Sequence, residues 1–380
     1  VRAYNAEGYQ EEKFEKVNKD LTDTHWFTSK TMAFMMPTIM LIMNGLSLAI
    51  YWIGAILIND AQDLQRKFSL FSDMVVFSSY AMQVVMSFMM LVMIFIMLPR
   101  ASVAAKRILE VLDTEPSIED GMRDTFPVMK DGEVEFKDVS FKYPDAEEYV
   151  LEHISFSAKK GETIAFIGAT GCGKSTAINL IPRFYDVTEG EVLVDGVNVK
   201  EYTQEALHNK IGYVSQKAIL FSGTIAENVA YGENGKAPAT QDDIARAVSV
   251  AQASEFIEKK NQGFGGYVAQ GGSNFSGGQK QRLSIARAIA RQPEILIFDD
   301  SFSALDYKTD RILREALHKE CRDATKIIVA QRIGTIRDAD KIIVLDDGQI
   351  AGMGSHDELM KNCEVYQEIA YSQLSKEELA

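Results

Sequence analysis

The sequence is poor in positive charge. Its 380 residues hold 40 Lys and Arg against 54 Asp and Glu, a net charge of −14. A nucleic-acid binder needs basic patches to neutralise phosphates, so this balance argues against that class. Cysteine is scarce too: Cys172, Cys321 and Cys363 are far apart and odd in number. Such a set excludes a disulfide framework, shows no zinc-ligand spacing and fits a reducing cytosol. Charge of either sign is absent from two long runs, Thr31 to Asn59 and Met74 to Pro99. Crossing a bilayer takes about 20 apolar residues, so each run is long enough to span with tilt. Both exceed the apolar stretch of a signal peptide, and no early cleavage pattern precedes them.

The flanks of these runs set an orientation. Lys13, Lys16, Lys19 and Lys30 precede the first, and Arg100, Lys106 and Arg107 follow the second. The loop from Asp60 to Asp73 sets Arg66 and Lys67 among three aspartates. The positive-inside rule puts both chain ends in the cytoplasm and this loop outside. Phe14, Val17 and Leu21 recur at helical spacing, which predicts an amphipathic cytoplasmic helix leading into the first span. Ala101–Leu112 continues the second span as helix until Asp113-Thr114-Glu115-Pro116 breaks it. We therefore expect residues 1–112 to be a membrane α-helical segment with spans at about 31–59 and 74–99. Residues 113–130 read as a linker. Residues 131–380 alternate β-branched runs with helical stretches, the pattern of an α/β domain.

Within that domain, an apolar run to Ile167 feeds into Gly168-Ala169-Thr170-Gly171-Cys172-Gly173-Lys174-Ser175-Thr176. This matches the phosphate-binding G-x-x-x-x-G-K-[ST] loop: glycines let backbone N–H groups wrap phosphates, Lys174 reaches the outer ones, and the Ser175 hydroxyl ligates Mg²⁺. A second run, Ile295–Phe298, ends in Asp299-Asp300. It reads as a buried parallel strand with carboxylates at the end where such sheets bind ligands. Asp299 is placed to hold Mg²⁺ and Asp300 to orient or deprotonate water. Between them, Ser276-Gly277-Gly278-Gln279 opens a helix as a second anion-binding start. One nucleotide does not need two such cradles, so the second is expected to close over a nucleotide held by another subunit, in a head-to-tail dimer.

These motifs, in this order, make the chain resemble an ATP-binding cassette exporter of the multidrug or lipid type. Phe141-Lys142-Tyr143-Pro144 is similar to the A-loop, which implies that Tyr143 stacks on adenine. Gly168–Thr176 corresponds to Walker A and Asp299 to the Walker B aspartate. Val214-Ser215-Gln216 resembles the Q-loop, implying that Gln216 contacts Mg²⁺ or water and senses the membrane domain. Phe275–Gln279 resembles the signature motif, with Phe in place of the usual Leu, and Ser303–Asp306 the D-loop. A helical subdomain is implied between about Gln216 and Arg291. The family carries six spans before the nucleotide domain. The two spans here look like the last two, so the chain is expected to be a piece lacking about four.

The family pattern fails at three places. Asp300 stands where Glu is usual, Gln331 where a His follows Ile327-Ile328-Val329-Ala330, and Val268-Ala269-Gln270-Gly271-Gly272 where Val-Gly-Glu-Arg-Gly is usual. The resemblance thus implies a plasma-membrane transport ATPase subunit exporting hydrophobic or amphipathic small molecules, using ATP and Mg²⁺. Its own ATP site would hydrolyse slowly, within a heterodimer whose partner restores Glu and His; a homodimer is the alternative. A competing class is an ATP-binding regulatory subunit that gates a channel or receptor, against which the kept signature motif argues. Cys172 within the phosphate loop reads as a small filler. Met82, Met86, Met89, Met93 and Met97 line one helix face, suited to helix packing or to a cavity for varied apolar ligands.

Overall fold

In the computed structural model the described residues are 1–124, 131–144, 146–260 and 262–373. The chain divides into two compact units, Val1–Glu115 and Pro116–Ala380.

The first unit is a helical hairpin of α1 (Glu7–Asp60) and α2 (Leu64–Leu112). At 1.5 Å per residue, α1 extends about 80 Å, far more than a hydrocarbon core of about 30 Å. The charged N-terminal part and the apolar run are therefore one continuous rod. Both helices are long and apolar enough to cross a membrane. They meet through small residues: Gly54 and Ser78 are buried, and a Cβ on Gly54 would run into the Met74 thioether. Small residues are what lets two helix backbones approach where apolar burial supplies no drive. Most other apolar side chains point outward, Phe88 and Met93 among them.

The strands of the second unit, in chain order, are β1 (Val134–Phe141), β2 (Leu151–Ala158), β3 (Thr163–Gly168), β4 (Glu189–Val194), β5 (Val197–Asn198), β6 (Ile211–Val214), β7 (Gly223–Thr224), β8 (Tyr267–Val268), β9 (Ile295–Asp299), β10 (Thr325–Val329), β11 (Lys341–Asp346) and β12 (Gln349–Gly354). Its helices are α3 (Lys174–Asn179), α4 (Gln204–Lys210), α5 (Ile225–Val229), α6 (Gln241–Val250), α7 (Ser254–Glu258), α8 (Gly277–Ala290), α9 (Tyr307–Glu320), α10 (Ile333–Ile336), α11 (His356–Asn362) and α12 (Glu364–Gln373).

An antiparallel sheet runs β2-β1-β4-β5, and a larger sheet runs β12-β11-β3-β10-β9-β6, parallel except at the β12 edge. The central strands carry unbroken apolar runs, Ile164–Ile167, Ile295–Phe298, Ile327–Val329 and Ile342–Leu345, because both faces are covered. Ile164 and Phe166 of β3 enter the core shared with the antiparallel sheet, while Ala165 and Ile167 enter the core shared with α5, α6 and α8. Ile295 and Ile297 of β9 divide from Leu296 and Phe298 in the same way. This two-residue period holds the register, since a slip by one residue would exchange the two cores.

Part of the polar stretch expected as a linker packs on this unit. Gly121 N–H donates to Tyr202 O (3.1 Å), Asp120 accepts from Gln204 N–H (2.6 Å), and Thr203 Oγ1 donates to Asp124 (2.8 Å). The remainder of that stretch, 125–130, and the end of the domain, 374–380, lie outside the described residues.

Candidate nucleotide site

The parallel register lines up the carboxyl ends of four strands. Phe166 pairs with Val329, Val329 with Asp299, and Val214 with Phe298. The residues just past these ends, Gly168–Thr176, Asp300, Gln331 and Gln216, consequently share one edge of the sheet. That edge is where open parallel sheets hold ligands.

The phosphate loop needs its glycines. Gly168 has φ 153°, and a Cβ there would run into Leu345 O and Cys172 Sγ. Gly173, at φ 94°, turns the chain into α3 with Leu151 packed against it. The Lys174 side chain is buried, and its ammonium donates to Gly168 O (2.9 Å) and Ala169 O (2.6 Å). Among the described residues no carboxylate pairs with it. A buried cation held by neutral loop groups, at the start of a helix, suits a phosphate anion. Cys172 is buried with Sγ 3.5 Å from the same ammonium.

Ser175 Oγ donates to Asp299 Oδ1 at 2.7 Å, so the hydroxyl and carboxylate expected to hold Mg²⁺ already touch. Oxygen ligands of this kind, few in number and completed by phosphates, are what Mg²⁺ uses. Gln216, expected to contact Mg²⁺ or water, donates to Asp300 Oδ2 (3.3 Å), and Gln331 Nε2 donates to the same oxygen (2.8 Å). Asp300 is held in the left-handed region, at φ 43°, by its N–H bond to Val329 O and by Ser303 Oγ on its carbonyl. Burial pushes its carboxyl above the usual range, against hydrogen bonds that favour the ionised form.

A residue outside the recognised motifs joins this group. Tyr213 sits on β6 and its hydroxyl points to Asn179 Oδ1 (2.8 Å) and Asp299 Oδ2 (3.4 Å). Burial, and then the Asp299 charge, push this phenol well up. An isolated tyrosine in an apolar run carries no motif, so only the fold finds it. Tyr143 is half-buried, edge-on to Phe141 (5.0 Å) and Tyr185 (5.2 Å), with its hydroxyl 3.0 Å from Thr176 Oγ1.

The signature segment forms a separate surface. Ser276 caps α8: its hydroxyl accepts from Gln279 N–H (3.3 Å), while Gln279 Oε1 accepts from Ser276 N–H (3.0 Å). Phe275 anchors the turn, packed on Phe256 and covered by the Lys260 ammonium 4.3 Å from its ring. A Cβ on Gly278 would lie 3.1 Å from Ala304 O, which keeps the D-loop close. Asp306 caps α9 by accepting from Thr309 N–H (3.0 Å). Among the described residues no hydrogen bond joins Ser276–Gln279 to the group around Lys174 and Asp300. Gln281, one turn into α8, does reach the Gln216 loop, donating to Ser215 O (3.2 Å).

The family model described as ABC transporter matches residues 151–303, and the model described as ABC transporter transmembrane region matches residues 1–108. The chain belongs to the ABC transporter family. This ABC transporter chain is 43% identical over 374 residues to an uncharacterized ABC transporter ATP-binding protein of Mycobacterium tuberculosis, covering 98% of the chain and 63% of that relative. It is 41% identical over 276 residues to the ATP-dependent lipid A-core flippase of Haemophilus influenzae, covering 73% of the chain and 46% of the flippase. Among solved structures, a bacterial Atm1-family ABC exporter with ATP bound superposes with TM-score 0.85 at 30% identity, over 99% of the chain and 65% of the exporter. The chain thus spans less than two thirds of the length of each of these proteins. Its first unit is transmembrane region, and its second is the family's ATP-binding domain.

Proposed function

We propose that the chain is one subunit of an ATP-driven exporter of hydrophobic or amphipathic small molecules in the plasma membrane, paired with a second subunit. The kinship to a protein named as a lipid A-core flippase supports an amphipathic cargo. In this reading Tyr143 receives adenine, the 168–176 loop and Lys174 hold the phosphates, and Ser175 and Asp299 hold Mg²⁺, which when bound neutralises phosphate charge. Ser276, Gly277, Gly278 and Gln279, with Asp306 nearby, act on the partner's nucleotide.

The convergence of two neutral amides on one oxygen of Asp300 carries the finer proposal, a slow site on this chain. Asp is one methylene shorter than the Glu usual there, so its carboxylate withdraws by about 1 Å, a displacement that costs on the order of 10²-fold in rate. Loss of a well-placed base costs roughly 10²–10⁴-fold. Gln331 donates a hydrogen bond but cannot titrate as His does. Binding groups are complete while the base is short and occupied, which favours ATP held rather than spent.

The test is ATPase activity of the reconstituted pair. Asp300→Ala is expected to leave most turnover, whereas removing the corresponding carboxylate of the partner abolishes it. Equal losses from the two changes would reject unequal sites.

A further inference from the structure

The last described helix reaches back to the nucleotide site. Gln373, at the end of α12, spends both ends of its amide on the segment that carries Gln331. Its Nε2 donates to Gln331 O (2.7 Å), and its Oε1 accepts from Ile333 N–H (2.9 Å). The amide orientation is unambiguous, because a backbone carbonyl only accepts and a backbone N–H only donates. Gln331 in turn places Nε2 2.8 Å from Asp300 Oδ2. A continuous path of short hydrogen bonds therefore runs from α12 through residues 331–333 to the carboxylate.

The Oε1 bond has a local reason. α10 begins at Ile333, and its N-cap residue, Arg332, makes no side-chain capping bond. A helix start leaves orphan N–H groups that a side-chain oxygen can satisfy. Gln373 provides that oxygen from a different helix. α12 itself is firmly held: Tyr366 and Ala370 are fully buried in the same core as Ile333 and Ile336, and the Tyr366 hydroxyl lies 2.8 Å from His356 Nδ1. Gln373 is exposed, so nothing in the core requires it. Ordering a long polar side chain at the surface costs rotamer entropy, which two hydrogen bonds to one short loop offset.

We propose that Gln373 is a positioning residue. It fixes the 331–333 backbone so that Gln331 stays on Asp300, and it thereby sets how long ATP is held at this chain's own site. This rests on the assignment of that site as a slow ATP site.

The experiment uses the full subunit with its partner and a photoreactive azido-ATP, whose attachment to this chain reports its own site. Gln373→Ala is expected to leave the concentration for half-occupancy within about twofold, because it touches no phosphate- or adenine-binding group. With Mg²⁺ present, the retention half-life after a chase with unlabelled ATP shortens by about tenfold, the scale of one to two lost neutral hydrogen bonds, because hydrolysis at the freed Asp300 empties the site; half-occupancy is read without Mg²⁺, where no hydrolysis occurs. Gln373→Glu keeps the acceptor for Ile333 but turns a carboxylate oxygen towards Gln331 O, so retention shortens at least as much as in Gln373→Ala. In a Gln331→Ala background, Gln373→Ala adds nothing further. An unchanged half-life overturns the proposal, and so does an effect that simply adds to that of Gln331→Ala. A loss of affinity equal to the loss of retention overturns it too, as a merely structural role. Rapid hydrolysis at this site in the unaltered chain would instead reject the slow-site assignment. The coupling between Gln373 and Gln331 is then read in the turnover rate.

Discussion

Asp300 and Lys326 show opposite ways of placing charge inside this sheet. Asp300 lies where ligands enter and has amides from two other strand ends to hold it. Lys326 is the second residue of β10, at the other end of the strands, and is 3% exposed. Its ammonium donates to Ala324 O (2.8 Å) and Gly161 O (3.5 Å), and burial holds its pKa below the usual lysine value of 10.5. A lysine whose folded pKa lies below the unfolded one releases its proton on folding. Stability therefore rises with pH through the window between the folded value and 10.5 and is penalised in full below it. Lys326→Met removes the penalty and keeps the stem's volume. The variant is expected to unfold at a higher temperature than the parent chain at pH 7, with the gap closing towards pH 10. Thermal unfolding at the two pH values checks this, and a gap that does not vary with pH would contradict it.

At the scale of the element, α8 joins two jobs at one residue. Ser276 is the N-cap of α8 and also the exposed hydroxyl of the signature surface. As a cap alone, Ser276→Ala costs about 1 kcal/mol of helix stability. If the hydroxyl also closes over a partner's nucleotide, turnover of the pair falls by more than about tenfold, beyond what that stability loss explains, since 1 kcal/mol corresponds to only about fivefold. Comparing the shift in unfolding temperature with the ATPase rate separates the two roles. A rate within twofold of the parent's would leave Ser276 as a cap only. The short β7–β8 ribbon, pairing Gly223 with Val268, illustrates the converse. Two-residue strands have no period to find, so nothing in the sequence marks the pairing.

Across the whole molecule, the membrane unit presents apolar side chains outward along most of its length. Met86, Met93 and Met97 are each about 60% exposed on α2. Thioether side chains are flexible and polarizable, which suits a surface that accepts varied apolar ligands. Changing Met86, Met89 and Met93 together to Leu conserves volume and is expected to cost under about 1.5 kcal/mol each. If this face lines the transport cavity, ligand-stimulated ATPase shifts while basal ATPase stays put. Cysteines placed at the same positions that label from the lipid phase alone, never with a water-soluble reagent, would show instead that the face meets lipid.

Several features were decided by neighbours along the chain. The charge-free runs specify two long apolar helices, because length and composition alone govern whether a segment suits a bilayer. The loop at Gly168–Thr176 is legible because its turn demands glycine at positive φ, and Ser276 because a cap needs a hydroxyl at that position. Ile295–Phe298 reads as a buried strand from its unbroken apolar run. The meeting of Gln216 and Gln331 on one oxygen of Asp300 is a different matter, since these residues lie 84 and 31 positions from it. So are Tyr213 beside Asp299 and Gln373 beneath Gln331. The first two depend on the order β3-β10-β9-β6, in which strands remote in sequence stand side by side, and the third on α12 packing beside α10. Local propensity and hydrophobic period carry no information about that order. It is set when the two faces of every strand find covering layers at once, and only then do isolated polar residues at the strand ends become one site.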